Sequence, residues 1–171
     1  PCFFCEPDSD FIYIPFATEL KETEIDSFPR SPFVPSDLSE RESVCAMTLK
    51  MQAEALARRF TASRSEKMVI GVSGGLDSTL ALIVCAEACD ILGIARDNII
   101  AVTMPCFGTT SRTKSNAQKL SESLGASFRT VDIKNSVLLH FEDISHPSDK
   151  YDVVYENAQA RERTQVLMDM A

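Results

Sequence analysis

Several features are missing from this sequence, and each absence argues against one class of protein. No apolar run approaches the length needed to span a membrane, and no signal-peptide pattern opens the chain, so we expect a cytoplasmic protein with no membrane partner. Basic residues form no cluster in a chain of 171 residues with a formal charge of −8, which argues against a nucleic-acid partner. The apolar content of 44% is enough for one ordinary core, and we expect a soluble acidic protein.

A disulfide framework and a zinc site are not expected either. Four of the six cysteines lie in apolar helical or strand-end settings, where free cysteine packs as a small hydrophobe: Cys45, Cys85, Cys89 and Cys106. Cys2 and Cys5 have the spacing of metal ligands, but the two histidines of the chain are far from them and are not paired as zinc motifs require.

The most informative stretch is residues 68–78, Met-Val-Ile-Gly-Val-Ser-Gly-Gly-Leu-Asp-Ser. Residues 68–72 have the composition of a strand buried on both faces, and residues 77–93 that of a long apolar helix. Between them lie two glycines, which allow a positive φ and a close approach to a ligand, while free N–H groups at a helix start attract anions. The stretch therefore predicts a phosphate-binding loop.

The loop contains no basic residue between Gly71 and Thr79. Transfer of a terminal phosphate with the help of a loop lysine is therefore not expected. The loop instead offers the hydroxyls of Ser73, Ser78 and Thr79 and the carboxylate of Asp77. A carboxylate beside a triphosphate suits a hard cation, and we interpret Asp77 as a magnesium ligand. The alternative is that Asp77 only caps the helix.

Strands and helices continue to alternate after the loop. Residues 98–104 and 127–133 have the composition of buried strands, and residues 113–124 and 135–144 that of helices. A strand, helix and strand with this crossover length imply parallel pairing, with the carboxyl ends of the strands at one edge. The sequence therefore predicts an α/β fold with a doubly wound parallel sheet and a site along that edge.

A long amphipathic helix is expected before the loop, at residues 39–60. Ser39 and Glu42 have the spacing of a capping box at its start. Apolar residues recur along it at helical intervals: Val44, Met47, Leu49, Met51, Ala53, Ala55, Leu56 and Phe60. We expect this helix to serve in packing.

Polar residues follow the second predicted strand, which ends at Met104. The candidate nucleotide contacts among them are Thr109, Thr110, Ser111 and Arg112. If these residues bind no ligand, Met104 is a methionine of the core, and the polar residues form an ordinary turn with a surface arginine. His146, in a later loop, is either a proton shuttle or a loop histidine with its hydrogen bonds satisfied.

Residues 72–78, Val-Ser-Gly-Gly-Leu-Asp-Ser, resemble the signature of the ATP pyrophosphatases, or PP-loop proteins. Within that superfamily the chain is similar to the synthetase domain of glutamine-dependent NAD synthetases. Three further stretches carry this likeness: residues 104–113, 115–117 and 155–161. The resemblance extends from about residue 32 to the end of the chain.

The resemblance implies a carbon–nitrogen ligase that uses ATP and Mg²⁺ to amidate deamido-NAD through an adenylated nicotinate, with ammonia from glutamine. It implies a homo-oligomer and Asp77 as the catalytic and metal-binding residue. The residues implied to hold ATP are Gly71, Val72, Ser73, Gly74, Gly75, Leu76, Asp77, Ser78, Met104 at the adenine, and Arg112. Asn157 and Arg161 are implied to bind deamido-NAD; the alternative is an intrahelical pair on a solvated helix start.

The resemblance also predicts how the chain is divided. We expect residues 1–30 to be the remnant of an upstream glutaminase-like domain with a linker, in which residues 11–14 could form an edge strand. Residues 31–171 would be the N-terminal part of the synthetase domain, with the sheet incomplete at the C-terminus. Further strands and a further magnesium-binding carboxylate would follow Ala171.

Two other classes of function remain open. Another amidating or thiolating ligase of the superfamily, of the GMP or asparagine synthetase type, would use the same loop with a different acceptor. A non-catalytic adenine-nucleotide-binding module would bind ATP or AMP without releasing pyrophosphate.

The expected division leads to a prediction about the 171-residue chain by itself. It supplies few cations for the triphosphate, so we expect weak nucleotide binding and little or no turnover. Conversion of ATP to AMP coupled to amide formation, measured on this polypeptide alone, would contradict the prediction.

Overall fold

The structure is a computed structural model, and it describes these residues: Ile14, Ala17, 30–107 and 111–171, with the backbone alone for 111–114. The chain divides into two units, residues 1–36 and 37–171. In the described part of the first unit, the N–H of Val34 donates to the carbonyl oxygen of Ser31 at 3.1 Å and closes a turn. Apart from Ile14, the edge strand expected at residues 11–14 lies outside the described residues.

The second unit alternates helices with strands, as the sequence predicts. Its elements are α1 (Leu38–Ser63), β1 (Met68–Gly71), α2 (Leu76–Leu92), a 3₁₀ turn (Arg96–Asn98), β2 (Ile99–Thr103), α3 (Ser111–Ser123), β3 (Ser127–Thr130), α4 (Lys134–Asp143) and α5 (Val153–Met170). The three strands pair in parallel in the order β1-β2-β3. The prediction of an α/β fold with a parallel sheet is confirmed.

The central strand β2 is buried on both sides because its side chains alternate between two hydrophobic clusters. Ile99 and Ala101 belong to a cluster with residues of α1, α2 and α3, which we term the first face. Ile100 and Val102 belong to a cluster with residues of α4 and α5, the second face. Helices therefore cover both faces of the sheet, which is the doubly wound arrangement expected from the sequence.

Helix α2 begins directly after the glycine-containing loop and is anchored along its length. Leu82, Ala88 and Cys89 are fully buried within it. It ends at Gly93, whose φ of 66° is left-handed, and the N–H of Ile94 returns to the carbonyl oxygen of Cys89 at 3.1 Å. None of the described helices, α2 included, is both long and apolar enough to cross a membrane.

Helix α1 differs from the prediction at its start and on its exposed side. The cap is Asp37, whose carboxylate accepts hydrogen bonds from the N–H of Glu40 at 2.9 Å and the hydroxyl of Ser39 at 2.6 Å. The capping box expected from Ser39 and Glu42 is therefore wrong, since a stronger acceptor precedes it. Met47 and Met51 are 61% and 64% exposed, so only part of the predicted apolar stripe is buried.

Helix α5 is capped by Asp152, which precedes Asn157 and Arg161 in the chain. The carboxylate accepts hydrogen bonds from the N–H groups of Val154 and Tyr155 at 2.9 and 3.2 Å. A hydrogen bond from Lys150 and these cap bonds hold the pKa of Asp152 well below its usual range. His146 Nε2 lies 3.1 Å from the same carboxylate, whereas its buried Nδ1 has no partner, so the prediction of a satisfied loop histidine holds for one ring nitrogen.

The four described cysteines are free thiols, as predicted, but they are not equally buried. Cys85 and Cys89 are buried, and burial raises the pKa of Cys85 to about 11. Cys45 is exposed on α1, which contradicts its prediction as a packed hydrophobe. Cys2 and Cys5 lie outside the described residues.

The packing of α2 generates a test with a matched control on the same helix. Leu82 is 0% exposed and Leu80 is 48% exposed. We expect Leu82→Ala to lower the free energy of unfolding by about 2–5 kcal/mol because it leaves a cavity between α2 and the sheet. Leu80→Ala should cost less than about 1 kcal/mol. Equal costs for the two variants in chemical denaturation would contradict this packing.

Candidate functional site

The loop after β1 and the segments after β2 and β3 lie at the same edge of the sheet because the strands are parallel. Each strand ends earlier than predicted, but single hydrogen bonds continue the pairing toward this edge. The N–H of Val72 donates to the carbonyl oxygen of Val102 at 2.8 Å, and that of Val131 donates to Thr103 at 2.9 Å. The loop is therefore held against the neighbouring strand at its base.

The loop leaves a set of backbone donors without partners. Gly74 has a φ of 83°, and Gly75 is the N-cap residue of α2 without a side-chain cap. Because glycine has no side chain to cap the helix, the N–H groups of Leu76, Asp77 and Ser78 make no hydrogen bond within the described residues. Free N–H groups at the positive end of a helix form an anion-binding site.

Two serine hydroxyls brace the loop from inside. Ser78 Oγ donates to the carbonyl oxygen of Gly75 at 3.0 Å and lies 3.2 Å from Ser73 Oγ. Ser73 Oγ in turn accepts a hydrogen bond from the N–H of Gly75 at 3.2 Å. These hydrogen bonds join the two ends of the loop, so the two hydroxyls stabilise its conformation as well as lining it.

Asp77 is exposed at the second position of α2 and makes no hydrogen bond or ion pair with the described residues. The cap role is wrong for this residue because Gly75 occupies the cap position. Among the described residues no three acidic, histidine or cysteine side chains come together as a metal site. A single free carboxylate fits Mg²⁺ only when phosphate oxygens and water supply the other ligands, which is how this ion is commonly held beside nucleotides.

Gly71 and Met104 meet where the loop leaves the sheet. A Cβ atom at Gly71 would lie 3.1 Å from Leu167 Cδ1 and 3.2 Å from Met104 Cε, so glycine allows α5 and Met104 to pack closely here. Met104 is 8% exposed and belongs to the core on the second face, which confirms the alternative of a core methionine. Its contact with adenine stays a prediction.

The polar residues expected after β2 are described only in part. Helix α3 begins at Ser111, so Arg112 lies in its first turn, directly after the segment that follows β2. The side chains of Ser111 and Arg112 are not described, and Thr109 and Thr110 lie outside the described residues.

Asn157 and Arg161 lie on α5, where both are exposed. Their exposure agrees with the alternative of a solvated helix start, but no hydrogen bond joins them in the described structure. Arg161 lines a cavity of about 180 Å³ between α4 and α5, together with His140 and Gln165. None of the residues that line this cavity belongs to the loop after β1.

A larger cavity, of about 640 Å³, lies between α1 and α2 near Arg58, Ile91 and Leu92. It is at the end of α2 opposite the loop, because Leu92 is the last residue of that helix. Two of its polar side chains are already engaged, since Thr61 donates to the carbonyl oxygen of Ala57 and Glu54 pairs with Lys50, so the unpartnered groups of the loop are the stronger candidate for chemistry.

The structure adds charged residues that the sequence reasoning missed. Asp132 and Lys134 follow β3, and Lys134 Nζ lies 5.6 Å from the centroid of the Phe107 ring after β2. Burial raises the pKa of the Cys106 thiol, and the charges of Arg163, Asp132 and Lys134 act on the same thiol. Functional sites of α/β folds lie after the carboxyl ends of the parallel strands, and this rule could have predicted Asp132 and Lys134. The position of Arg163 relative to the sheet depends on how α5 packs.

The chain is similar to known proteins over most of its length. The NAD synthase family model matches residues 48–171. The chain is 44% identical over 156 residues to a glutamine-dependent NAD(+) synthetase of Mycobacterium leprae, an alignment that covers 89% of the chain and 22% of that protein. The chain thus spans about a fifth of the length of this relative.

Solved structures show the same fold of the PP-loop type. A glutamine-dependent NAD+ synthetase from Acinetobacter baumannii in complex with ADP matches with a TM-score of 0.66 and 25% identity, over 73% of the chain and 23% of that protein. An NMN synthetase from Francisella tularensis matches with a TM-score of 0.60 and 25% identity, over 72% of the chain and 48% of that protein. The parallel sheet, the glycine loop at its carboxyl edge and these matches agree: the chain belongs to the NAD synthase family.

Proposed function

We propose that this chain carries the ATP-binding part of a glutamine-dependent NAD synthetase, which amidates deamido-NAD with ammonia derived from glutamine. The observation that supports the proposal is the loop after β1. It combines three unpartnered N–H groups, a left-handed glycine and the free carboxylate of Asp77, with no lysine among them. Such a loop suits the departing pyrophosphate of ATP better than transfer of its terminal phosphate.

The reaction would proceed in two steps because a carboxylate is a poor electrophile. An oxygen of the nicotinate carboxylate attacks the α-phosphorus of ATP, the bond from that phosphorus to the bridging oxygen breaks, and pyrophosphate leaves. Ammonia then adds to the carbonyl carbon of the acyl adenylate, AMP leaves with the electrons of the carbon–oxygen bond, and a proton is lost from nitrogen.

The residues of the loop would act on the first step. The N–H groups of Leu76, Asp77 and Ser78 are directed from the start of α2 and would stabilise the negative charge that builds on the leaving pyrophosphate. They are held in place before the reaction by the contacts between Ser73 and Ser78, which limits the reorganisation that the step requires. Asp77 would hold Mg²⁺, which would supply further charge neutralisation to the same phosphates.

Other residues would contact the rest of the two substrates. Met104 would border the adenine at the end of β2, and Arg112 at the start of α3 would contact the nucleotide. Asn157 and Arg161 would bind deamido-NAD, with Arg161 suited to phosphate or carboxylate by its fork of donors. Glutamine hydrolysis would belong to an upstream glutaminase-like domain, of which residues 1–30 would be a remnant with a linker.

A second product is favoured by one observation. The NMN synthetase of Francisella tularensis matches this chain about as well as the NAD synthetases do in structure and identity. An acceptor with a single nucleotide is therefore the second candidate for the same chemistry.

The acceptor can be identified with the protein at its native length. We expect pyrophosphate release from ATP that depends on deamido-NAD and ammonia and yields NAD in equal amount, because both steps share one adenylate. The measurement is pyrophosphate release with nicotinate mononucleotide and XMP as the competing acceptors. Preference for either of these would identify a different ligase, and nucleotide binding without pyrophosphate release under any acceptor would identify a binding module.

The role of Asp77 is tested separately. Asp77→Asn keeps the size of the side chain but removes its charge, so we expect kcat/KM to fall by about 10²-fold or more and the Mg²⁺ dependence of ATP binding to weaken. The matched control is Asp143→Asn, an exposed carboxylate at the end of α4. Equal Mg²⁺ dependence in the two variants would show that Asp77 does not hold the metal.

A further inference from the structure

One row of residues on α5 runs along the carboxyl edge of the sheet. Tyr155, Gln159, Arg163 and Leu167 follow at intervals of four, so they share one side of the helix. At one end the Tyr155 ring lies 5.5 Å from that of Phe107, in the segment after β2. At the other end Leu167 packs where the loop leaves β1, beside Gly71. Arg163 is therefore bracketed by two contacts to the edge that carries the candidate site.

Arg163 is half-buried there and makes no hydrogen bond or ion pair with the residues that the structure describes. Arg96, another half-buried arginine, does have a partner, since its Nε donates to Asp90 at 2.9 Å. An arginine that loses hydration without gaining an acceptor is costly, so an unpaired one at a site edge points to an anionic ligand. The influence of Arg163 on the Cys106 thiol agrees with this placement.

Lys134 lies near the Tyr155 end of this row. It is the first residue of α4, and its ammonium group lies 5.6 Å from the centroid of the Phe107 ring, the ring that Tyr155 also contacts. Asp132 is the carboxylate that acts on the Cys106 thiol together with these two cations, and its Oδ1 accepts a hydrogen bond from the N–H of Lys134 at 2.9 Å. Arg163 and Lys134 together carry one more charge than this carboxylate.

We propose that Arg163, supported by the charge of Lys134 at the start of α4, forms an oxyanion-binding subsite on the second face of the sheet, on the side of the glycine loop. Its ligand is an oxyanion of the reacting pair, either a phosphate group of ATP or the carboxylate or phosphate of the acceptor. This assignment deepens the proposed ligase function and rests on it. Arg163, and not only Arg161 in its cavity between α4 and α5, is then a binding residue contributed by α5.

The test uses Arg163→Gln in the protein at its native length, with Arg59→Gln as the control. Arg59 is an exposed arginine on α1, which packs on the first face of the sheet. The dissociation constant of ATP is measured by titration without acceptor, and the KM of deamido-NAD is measured at saturating ATP. We expect one of these constants to rise roughly 10- to 100-fold in Arg163→Gln, because a charged hydrogen-bond donor is lost, and neither to change in Arg59→Gln.

The constant that rises identifies the ligand. A weaker ATP complex identifies a phosphate of ATP, whereas a higher KM for deamido-NAD alone identifies an anionic group of the acceptor. Lys134→Gln should raise the same constant by a smaller factor, because Lys134 is exposed. Unchanged constants in Arg163→Gln would overturn the subsite.

Two further measurements distinguish a loss of binding from a loss of folding, and failure of the subsite from failure of the proposed function. If Arg163→Gln unfolds under the conditions of the assay, Arg163→Lys replaces it, since lysine keeps the charge without the planar fork, and the same two constants decide. If the unaltered protein forms no NAD, the proposed function fails. The ATP titration then decides alone, and an ATP dissociation constant that is unchanged in Arg163→Gln overturns the subsite.

Discussion

The parallel pairing of β1 with β2 is the constraint on which the rest of the structure depends. It brings the glycine loop, the segment after β2 and the start of α3 to one edge of the sheet. The hydrogen bond from Val72 to Val102 continues this pairing into the loop and holds its first residue. Because the base of the loop is fixed in this way, the free N–H groups at the start of α2 are held at this edge of the sheet.

The burial of β2 on both sides requires helices on both faces, and each face has a different role. The first face, with α1, α2 and α3, is built largely from small and branched apolar residues such as Ala88 and Ile99, and it fixes α2 against the sheet. The second face carries α5, whose approach to β1 is possible because Gly71 has no side chain. The same glycine therefore belongs to the packing of α5 and to the base of the loop.

Much of the candidate site could be proposed from the sequence because its parts are contiguous in the chain. The glycines, the hydroxyls and Asp77 occur within one loop, where strand and helix composition also reveal the turn between them. Residues that belong to other elements were less predictable. Arg161 and Arg163 are two positions apart on one helix, and helical periodicity alone cannot say which of them faces the sheet. The cap of α1 was misplaced for a related reason, because Asp37 and Ser39 both have suitable side chains.

The sequence by itself determined the α/β alternation, the position of the loop and the family to which its motifs point. These follow from local composition and from residues close together along the chain. Only the tertiary structure decided that Met104 is buried, that Arg161 lines a cavity between α4 and α5, and that Arg163 is half-buried. Those facts depend on the packing of elements that are distant in sequence, and packing is set by the shapes of all the contacting side chains together.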